Sequence, residues 1–486
     1  MGQDDPIQPK KILLITNEDR GQANAFLATS DSLLQADPHL ELHFASFASL
    51  QTAVTATWKH AQLTAPGARE ITFHQISGMP MAEGIQNYFQ ATKTPRQGLL
   101  PVSFLSPPGI SNTLRAIRDT IPVIVPYDGP QLVEIVTSIV DIIKDVDADL
   151  VVIDSLMTAA LTACSHLGVK FVCLSPNAIK DFAARTQPYG AGLWKYPALF
   201  SGFSYPIPWY QVPLNIFYIL YAVNLYLRDH YRQSVKDHLA TQTKATLKTP
   251  IDLIRSPPPG VKILVGSLPE LDFPAVPPAH VFPCGPIVRS AGPLGEADPE
   301  LAAWLARRPT VYVNLGSICH IEEDRALELA RAVVVVLEQA AASPGSGLQV
   351  LWKLSKFGEY STGVGSRMYE ILGRWVDADQ VRIVDWLQPE PIAVLESGHV
   401  VCIVHHGGAN SFNEAVIVEM LGIGRLGSRK AKPLWAADEL GGVLADVLFG
   451  KDSDSIQSKA KALAAVCKER GDGAENAARL LLEECL

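Results

Sequence analysis

Trp386, Gln388 and the run His405-His406-Gly407-Gly408-Ala409-Asn410-Ser411-Phe412-Asn413-Glu414 are the residues best suited to chemistry, and the run follows the apolar stretch Val400 to Val404. A buried strand, a glycine-bearing loop and a helix start in that order present free backbone N–H groups to an anion, which is how a diphosphate is held without metal. Gly407 and Gly408 let backbone approach a ligand closely, Asn410 and Ser411 cap the helix or bond phosphate oxygens, and His406 can donate to one. Glu414, one turn on, is placed to accept from paired ribose hydroxyls, and Trp386 offers a flat face to a base. Each residue also has a plainer reading: an ordinary helix cap for Asn410 or Ser411, a core position for Trp386. A metal at His405 and His406 is disfavoured, because adjacent side chains point apart on helix or strand. The combination is rarer than its parts and points to a nucleotide-sugar site.

Elements that position these residues alternate strand with helix. Ile12 to Thr16, Glu41 to Ser46, Ile71 to Ile76, Leu150 to Ile153, Phe171 to Leu174 and Ile263 to Val265 read as short apolar strands, with helical periodicity over Val133 to Lys144 and Thr158 to Leu167. Proline is dense from Ser256 to Pro309, and the chain breaks near Ser290 to Asp298. A second α/β pattern begins at Val311, and helices over Ile456 to Cys467 and Ala474 to Leu482 close the chain.

The order Trp, Gln, then His-x-Gly-x-Asn-Ser-x-x-Glu resembles the donor signature of the UDP-dependent glycosyltransferases of family 1, with flanking sequence of fungal type. Val311 to Ser317 is similar to the strand and Gly-Ser turn opening that family's second domain, and Trp352-Lys353 to its next strand. The resemblance runs nearly the whole chain and is weakest between Ser46 and Val123. It implies the GT-B fold, an α/β architecture of two Rossmann-like doubly wound domains facing a cleft. The expected division is an acceptor domain over 1–290, a linker over 291–309, a UDP-sugar domain over 310–470 and a helix over 471–486 returning to the first domain. It also implies donor-binding roles for Ser317, Trp386, Gln388, His406, Gly408, Asn410, Ser411 and Glu414, with UDP-sugar as co-substrate and neither cofactor nor metal.

The chain departs from the pattern twice. Val418 follows Ile417 directly where the family has a further strand and a loop whose acidic residue and glutamine grip the sugar, a deficit of roughly twenty residues. Either the second sheet lacks one strand or a coding exon is missing from the sequence. In the loop after the first strand the family's catalytic histidine is replaced by Gln22, whose amide does not titrate. Asp154 matches the carboxylate that orients that histidine, its plainer reading being a solvated strand end. Glu18, Asp19 or Asp154 is then left to serve as base, unless an acidic acceptor needs little help.

Composition sets the outer limits. With 486 residues, 48% hydrophobic, the chain supports two domains with separate cores. A net charge of -9 without a basic stripe excludes nucleic acid as a partner. Seven scattered cysteines suit reduced thiols, and the polar start Met1 to Pro6 fits neither signal peptide nor myristoylation, so a cytoplasmic protein is expected. Tyr196 to Leu227 carries no charged residue but is broken by prolines and too short to span a bilayer. The family's acceptor pocket comes from this region, so Trp209 and Phe217 are expected to bind a small lipophilic acceptor. A buried helix pair and a peripheral membrane contact are the other readings. The expected activity is transfer of a sugar, glucose first, to a hydroxyl of a hydrophobic molecule such as a fungal secondary metabolite. The competing expectation is a nucleotide-binding pseudoenzyme or partner subunit; a sugar-nucleotide epimerase of the same fold is a distant third.

Overall fold

The computed structural model describes residues 10–289, 291–316, 319–342, 347–406 and 417–485. Its first sheet has seven strands: β1 (Lys11–Ile15), β2 (Glu41–Ser46), β3 (Thr72–Gln75), β4 (Leu150–Asp154), β5 (Phe171–Ser175), β6 (Lys262–Val265) and β7 (Val281–Pro283), in the order β3-β2-β1-β4-β5-β6-β7. All its pairings are parallel. Parallel strands joined by helical crossovers are covered on both faces, which is why they read in the sequence as unbroken apolar runs. In β1, Leu13 and Ile15 pack into one core layer, and Ile12 and Leu14 into the opposite one.

Helix α1 (Arg20–Ala36) and helix α2 (Gln51–Thr64) cover the second of these faces. Helix α3 (Gly129–Val146) and helix α4 (Thr158–Leu167) cover the first. A capping box sets the start of α3: Gln131 N–H donates to the Asp128 carboxylate at 2.9 Å, and Asp128 N–H donates to Gln131 Oε1 at 3.1 Å. Helix α5 (Val212–Leu227) and helix α6 (His230–Thr243) follow β5. Only Asn215 and Tyr218 of α5 are buried, so the segment is not a buried helix pair.

The second sheet holds β8 (Thr310–Asn314), β9 (Gln349–Lys353), β10 (Val381–Val384) and β11 (Val400–Val404), parallel and ordered β10-β9-β8-β11. Helix α7 (Glu323–Ala342), helix α8 (Arg367–Asp377) and helix α9 (Ala437–Phe449) pack on one face over Val311, Val313, Val350 and Trp352. Trp304 fills the other face with Tyr312 and Leu351, and its indole N–H donates to the Asp379 carbonyl at 2.9 Å. Among the described residues β11 is an edge, and its Val401 and Ile403 are exposed.

Helix α10 (Ser453–Arg470) leads to helix α11 (Gly473–Glu484), which lies against the first sheet. Ala477, Ala478 and Leu481 join the core layer that α1 covers, and Glu484 pairs with Lys170 at 3.0 Å and with Lys262. At the turn into α11, a Cβ on Gly473 would sit 2.4 Å from the Pro286 carbonyl oxygen, so only glycine allows this approach. Because Leu481 is fully buried there, Leu481→Ala is expected to cost roughly 2–4 kcal/mol, read as a lowered denaturation midpoint with an unchanged denaturant slope.

Candidate active site

Both sheets reverse their winding direction once, at β1/β4 and at β8/β11, and loops leaving the strand carboxyl ends diverge there to open a crevice. Of the residues expected to act, Gln22, Asp154 and His406 sit at these two points.

In the first crevice the register pairs Ile15 with Ile153, so Thr16 meets Asp154. Thr16 Oγ1 donates to the Asp154 carboxylate at 3.3 Å and Leu156 N–H donates at 2.8 Å. Asp154 is fully buried, and that burial pushes its carboxyl up to about 6 against the pull of these hydrogen bonds. It is therefore an enclosed acid rather than a solvated strand end. Gln22 is buried in the first turn of α1, and its Oε1 has no partner.

Neighbouring polar atoms share that condition: Asn17 Oδ1, Asp19 Oδ2 and the Tyr127 hydroxyl are enclosed and unpartnered. Asp19 occupies the N-cap of α1, yet its side chain makes no capping bond. Burial, and then Glu18, raises its carboxyl above the ordinary range. Glu18 itself accepts from the Ser49 hydroxyl. The sequence named Asp19 only as one of three alternatives, and Tyr127 gave no signal there, since it stands more than a hundred residues from the loop it faces.

In the second crevice β8 pairs Val313 with Val404, which sets Gly316 beside His406. Asn314 Oδ1 accepts from Gly316 N–H at 3.0 Å and turns the chain, and Gly316 has φ +82°. A Cβ there would lie 2.5 Å from His406 Cε1, so the imidazole packs on bare backbone. Burial lowers the pKa of His405, and burial with His405 lowers that of His406, leaving neutral rings that can each donate one N–H.

Trp386 follows β10 and is 68% exposed. Lys353, at the end of β9, holds its ammonium 4.6 Å from the indole centroid. Burial lowers the Lys353 pKa. This cation was missed as a site residue, although β9 pairs Lys353 with Val384 two positions before Trp386. Gln388 lines a cavity of about 270 Å³ between the two sheets, together with Asp31, Thr57, His60, Arg289 and Glu390. Arg289 and Glu390 close one side of it at 2.9 Å.

Trp386, His406 and Gly316 thus share the carboxyl edge of the second sheet, and Gln22 and Asp154 that of the first. Trp209 and Phe217 lie apart, on the outer face of α5 and the turn before it, both exposed. Ser317, Gly408, Asn410, Ser411 and Glu414 lie outside the described residues.

No family model matches the chain. It is 30% identical over 469 residues to the glycosyltransferase sdnJ of Sordaria araneosa, covering 91% of this chain and 88% of that one. Among solved structures it is similar to Phytolacca americana UGT2 in complex with UDP-2-fluoro-glucose and pterostilbene, at 15% identity and TM-score 0.57 over 99% of both chains. It is similar also to a UDP-glucosyltransferase from Polygonum tinctorium capable of glucosylating indoxyl, at 15% identity and TM-score 0.57 over 98% of both chains. The glycotransferase of kitacinnamycin aligns at 16% identity and TM-score 0.57, over 99% of this chain and 100% of that one.

Asp154 supplies a test of the first crevice. Its folded pKa, about 6, exceeds the unfolded value of 3.8, so the ionised form opposes folding and the penalty grows as pH rises through that window. Relative to Asp154→Asn, the native chain should lose roughly 3 kcal/mol of stability between about pH 3 and about pH 7. Denaturant titrations of both proteins across that range check it, and a pH-independent difference would contradict an enclosed carboxyl.

Proposed function

The chain belongs to the UDP-glycosyltransferases of family 1, with the GT-B fold and a fungal relative; from that premise we propose that it transfers glucose from UDP-glucose to a hydroxyl of a small hydrophobic acceptor, with inversion. The observation that carries this reading is the edge formed by Trp386, Lys353 and His406 on Gly316. An indole with an ammonium at 4.6 Å and most of its surface open is suited to stacking a uracil ring. In this reading Gln388 bonds the base edge, neutral His406 donates to the diphosphate, with Gly408, Asn410, Ser411 and Ser317 as its further donors, and Glu414 takes the ribose.

In the transfer step the acceptor oxygen forms its bond to the anomeric carbon as the bond from that carbon to the UDP oxygen breaks on the opposite face. The electron pair leaves with UDP, and the acceptor's proton must go to a base. Gln22 cannot take it. Asp154 is enclosed by Thr16 and Leu156, and Glu18 is bonded to Ser49. Asp19 keeps an enclosed, unpartnered oxygen at the same crevice, and its raised pKa makes it a stronger base than an ordinary carboxylate. We assign the proton to Asp19, with Asp154 and Gln22 positioning the loop that carries it. The acceptor enters from the side of Trp209 and Phe217, and the reaction belongs to cytoplasmic secondary metabolism.

A second reading, a nucleotide-binding pseudoenzyme or partner subunit, is favoured by Gln22 at the histidine position and by a second sheet of four strands among the described residues. The two readings agree on UDP and differ on turnover.

Trp386→Ala is expected to abolish UDP binding by titration calorimetry; a folded native chain that binds no UDP would sink both readings. Asp19→Asn is expected to lower kcat by about a hundredfold or more with UDP affinity unchanged. The native rate should rise with pH through a carboxylate pKa above the usual range and then level off. Equal rates in the native chain and Asp19→Asn would remove Asp19 from the mechanism.

A further inference from the structure

Helix α5 has no charged residue along its length and buries only Asn215 and Tyr218. Its inner side packs with Ile117, Ala198, Phe200 and Phe203. Its outer side presents Phe217, Leu220, Val223 and Leu227 to solvent, spaced three, three and four residues apart on one stripe. Trp209 and Tyr210, 84% and 64% exposed, extend the stripe past the helix start. The short helix Ala191–Trp194 lies alongside and adds Leu193 and Trp194. Asn215, fully buried, fastens the two pieces: its amide N–H₂ donates to the Leu193 and Tyr196 carbonyls at 3.1 and 2.9 Å, and its Oδ1 accepts from Ala198 N–H at 2.7 Å. A helix that is apolar all round yet open on one side is unusual for a monomer in water, and contiguous apolar surface of this kind marks a contact.

Charge decides what makes the contact. Between Lys180 and Arg232, with Lys180 paired to Asp181 at 3.1 Å, four cationic side chains, Arg185, Lys195, Arg228 and Arg232, stand against one acidic one, Asp229, in a chain of net charge -9. Arg185, Lys195 and Arg232 donate to the neutral carbonyls of Arg255, Pro274 and Tyr226, which leaves their charge in place. Arg232 also lies 4.2 Å over the Tyr226 ring at the far end of α5. An apolar stripe with indole and phenol side chains at its start and cations around it matches the interfacial zone of a bilayer, where aromatic residues sit at headgroup level and cations meet anionic lipid. Sixteen residues of helix reach only about 24 Å, short of the roughly 30 Å hydrocarbon core, and no helix among the described residues is long and apolar enough to cross a membrane. The helix therefore fits in the plane of the surface.

We propose that the face of Trp209, Tyr210, Phe217, Leu220, Val223 and Leu227 docks on an anionic phospholipid surface. The loop after Trp194 also reaches the second half of the molecule, where Lys432 Nζ donates to the Gly202 carbonyl at 2.6 Å, so the docked face borders the cleft. A hydrophobic acceptor dissolved in the bilayer is thereby delivered beside the first crevice. That delivery rests on the transferase reading, whereas the docking does not.

The test is sedimentation of the full chain with vesicles of phosphatidylcholine alone and of phosphatidylcholine containing phosphatidylserine, together with quenching of tryptophan fluorescence by brominated lipid. The native chain should sediment with the anionic vesicles, less so at high salt, and show quenching. The exposed-face variant Tyr210→Ser/Leu220→Ser/Leu227→Ser should bind at least about tenfold more weakly while retaining native far-UV dichroism and UDP affinity. Absence of both sedimentation and quenching in the native chain overturns the proposal, as does equal vesicle binding by the variant. A native dimer in light scattering that the variant converts to monomer, with no vesicle binding, would assign the face to a second copy instead. Loss of UDP binding in the native chain would count against the transferase reading and leave the docking result standing.

Discussion

A parallel sheet obliges the chain to leave each strand at its carboxyl end and return through a crossover, and where the direction of winding changes, two loops part and leave room beside them. Every residue assigned a chemical task depends on that constraint. It puts Thr16 opposite Asp154 with Asp19 close by in the first sheet, and Gly316 opposite His406 in the second. The strand registers do most of the positioning, because Ile15 with Ile153 and Val313 with Val404 fix which loop residues face each other. The core layers on both faces of each sheet hold those registers.

The two crevices are electrostatically unlike. The second collects neutral or cationic donors: His405 and His406 held neutral by burial, and Lys353 with its ammonium partly desolvated over Trp386. These suit a diphosphate with a stacked base. The first collects enclosed oxygen acceptors, Asn17 Oδ1, Asp19 Oδ2 and Gln22 Oε1, with burial raising the pKa of the nearby carboxyls. Enclosed acceptors without donors are costly, and a hydroxyl-bearing acceptor molecule is the partner that would satisfy them. One side thus suits anion binding and the other suits removal of a proton.

Much of the scaffold was legible in the sequence, because strands covered on both faces must be apolar throughout. Glu41 to Ser46 and Leu150 to Ile153 stand where their composition put them, and helix Thr158 to Leu167 matches its periodicity, whereas Val400 to Val404, expected as a buried strand, leaves Val401 and Ile403 exposed. Three-residue β7 carries too little pattern to be read, and it pairs only through β6. Trp386, Gln388 and His406 were visible as a spaced motif, but the stacking of Lys353 on Trp386 depends on neighbouring strands and not on sequence distance. Asp19 was legible only as one of three candidate bases, because the sequence does not show that its side chain, at the start of α1, makes no capping bond. The apolar run of α5 reads equally as core or as surface, since hydrophobicity alone does not say which faces are covered.

The central claim is that a chain with Gln22 in place of a histidine still transfers sugar. The most direct measurement is the initial rate of UDP release from UDP-glucose with and without a panel of hydrophobic phenols and alcohols. The account predicts release that rises with acceptor concentration and saturates, with a glucoside formed in equal amount. UDP release no faster with any acceptor than without, from protein that binds UDP normally, would contradict it and leave a nucleotide-binding protein without turnover.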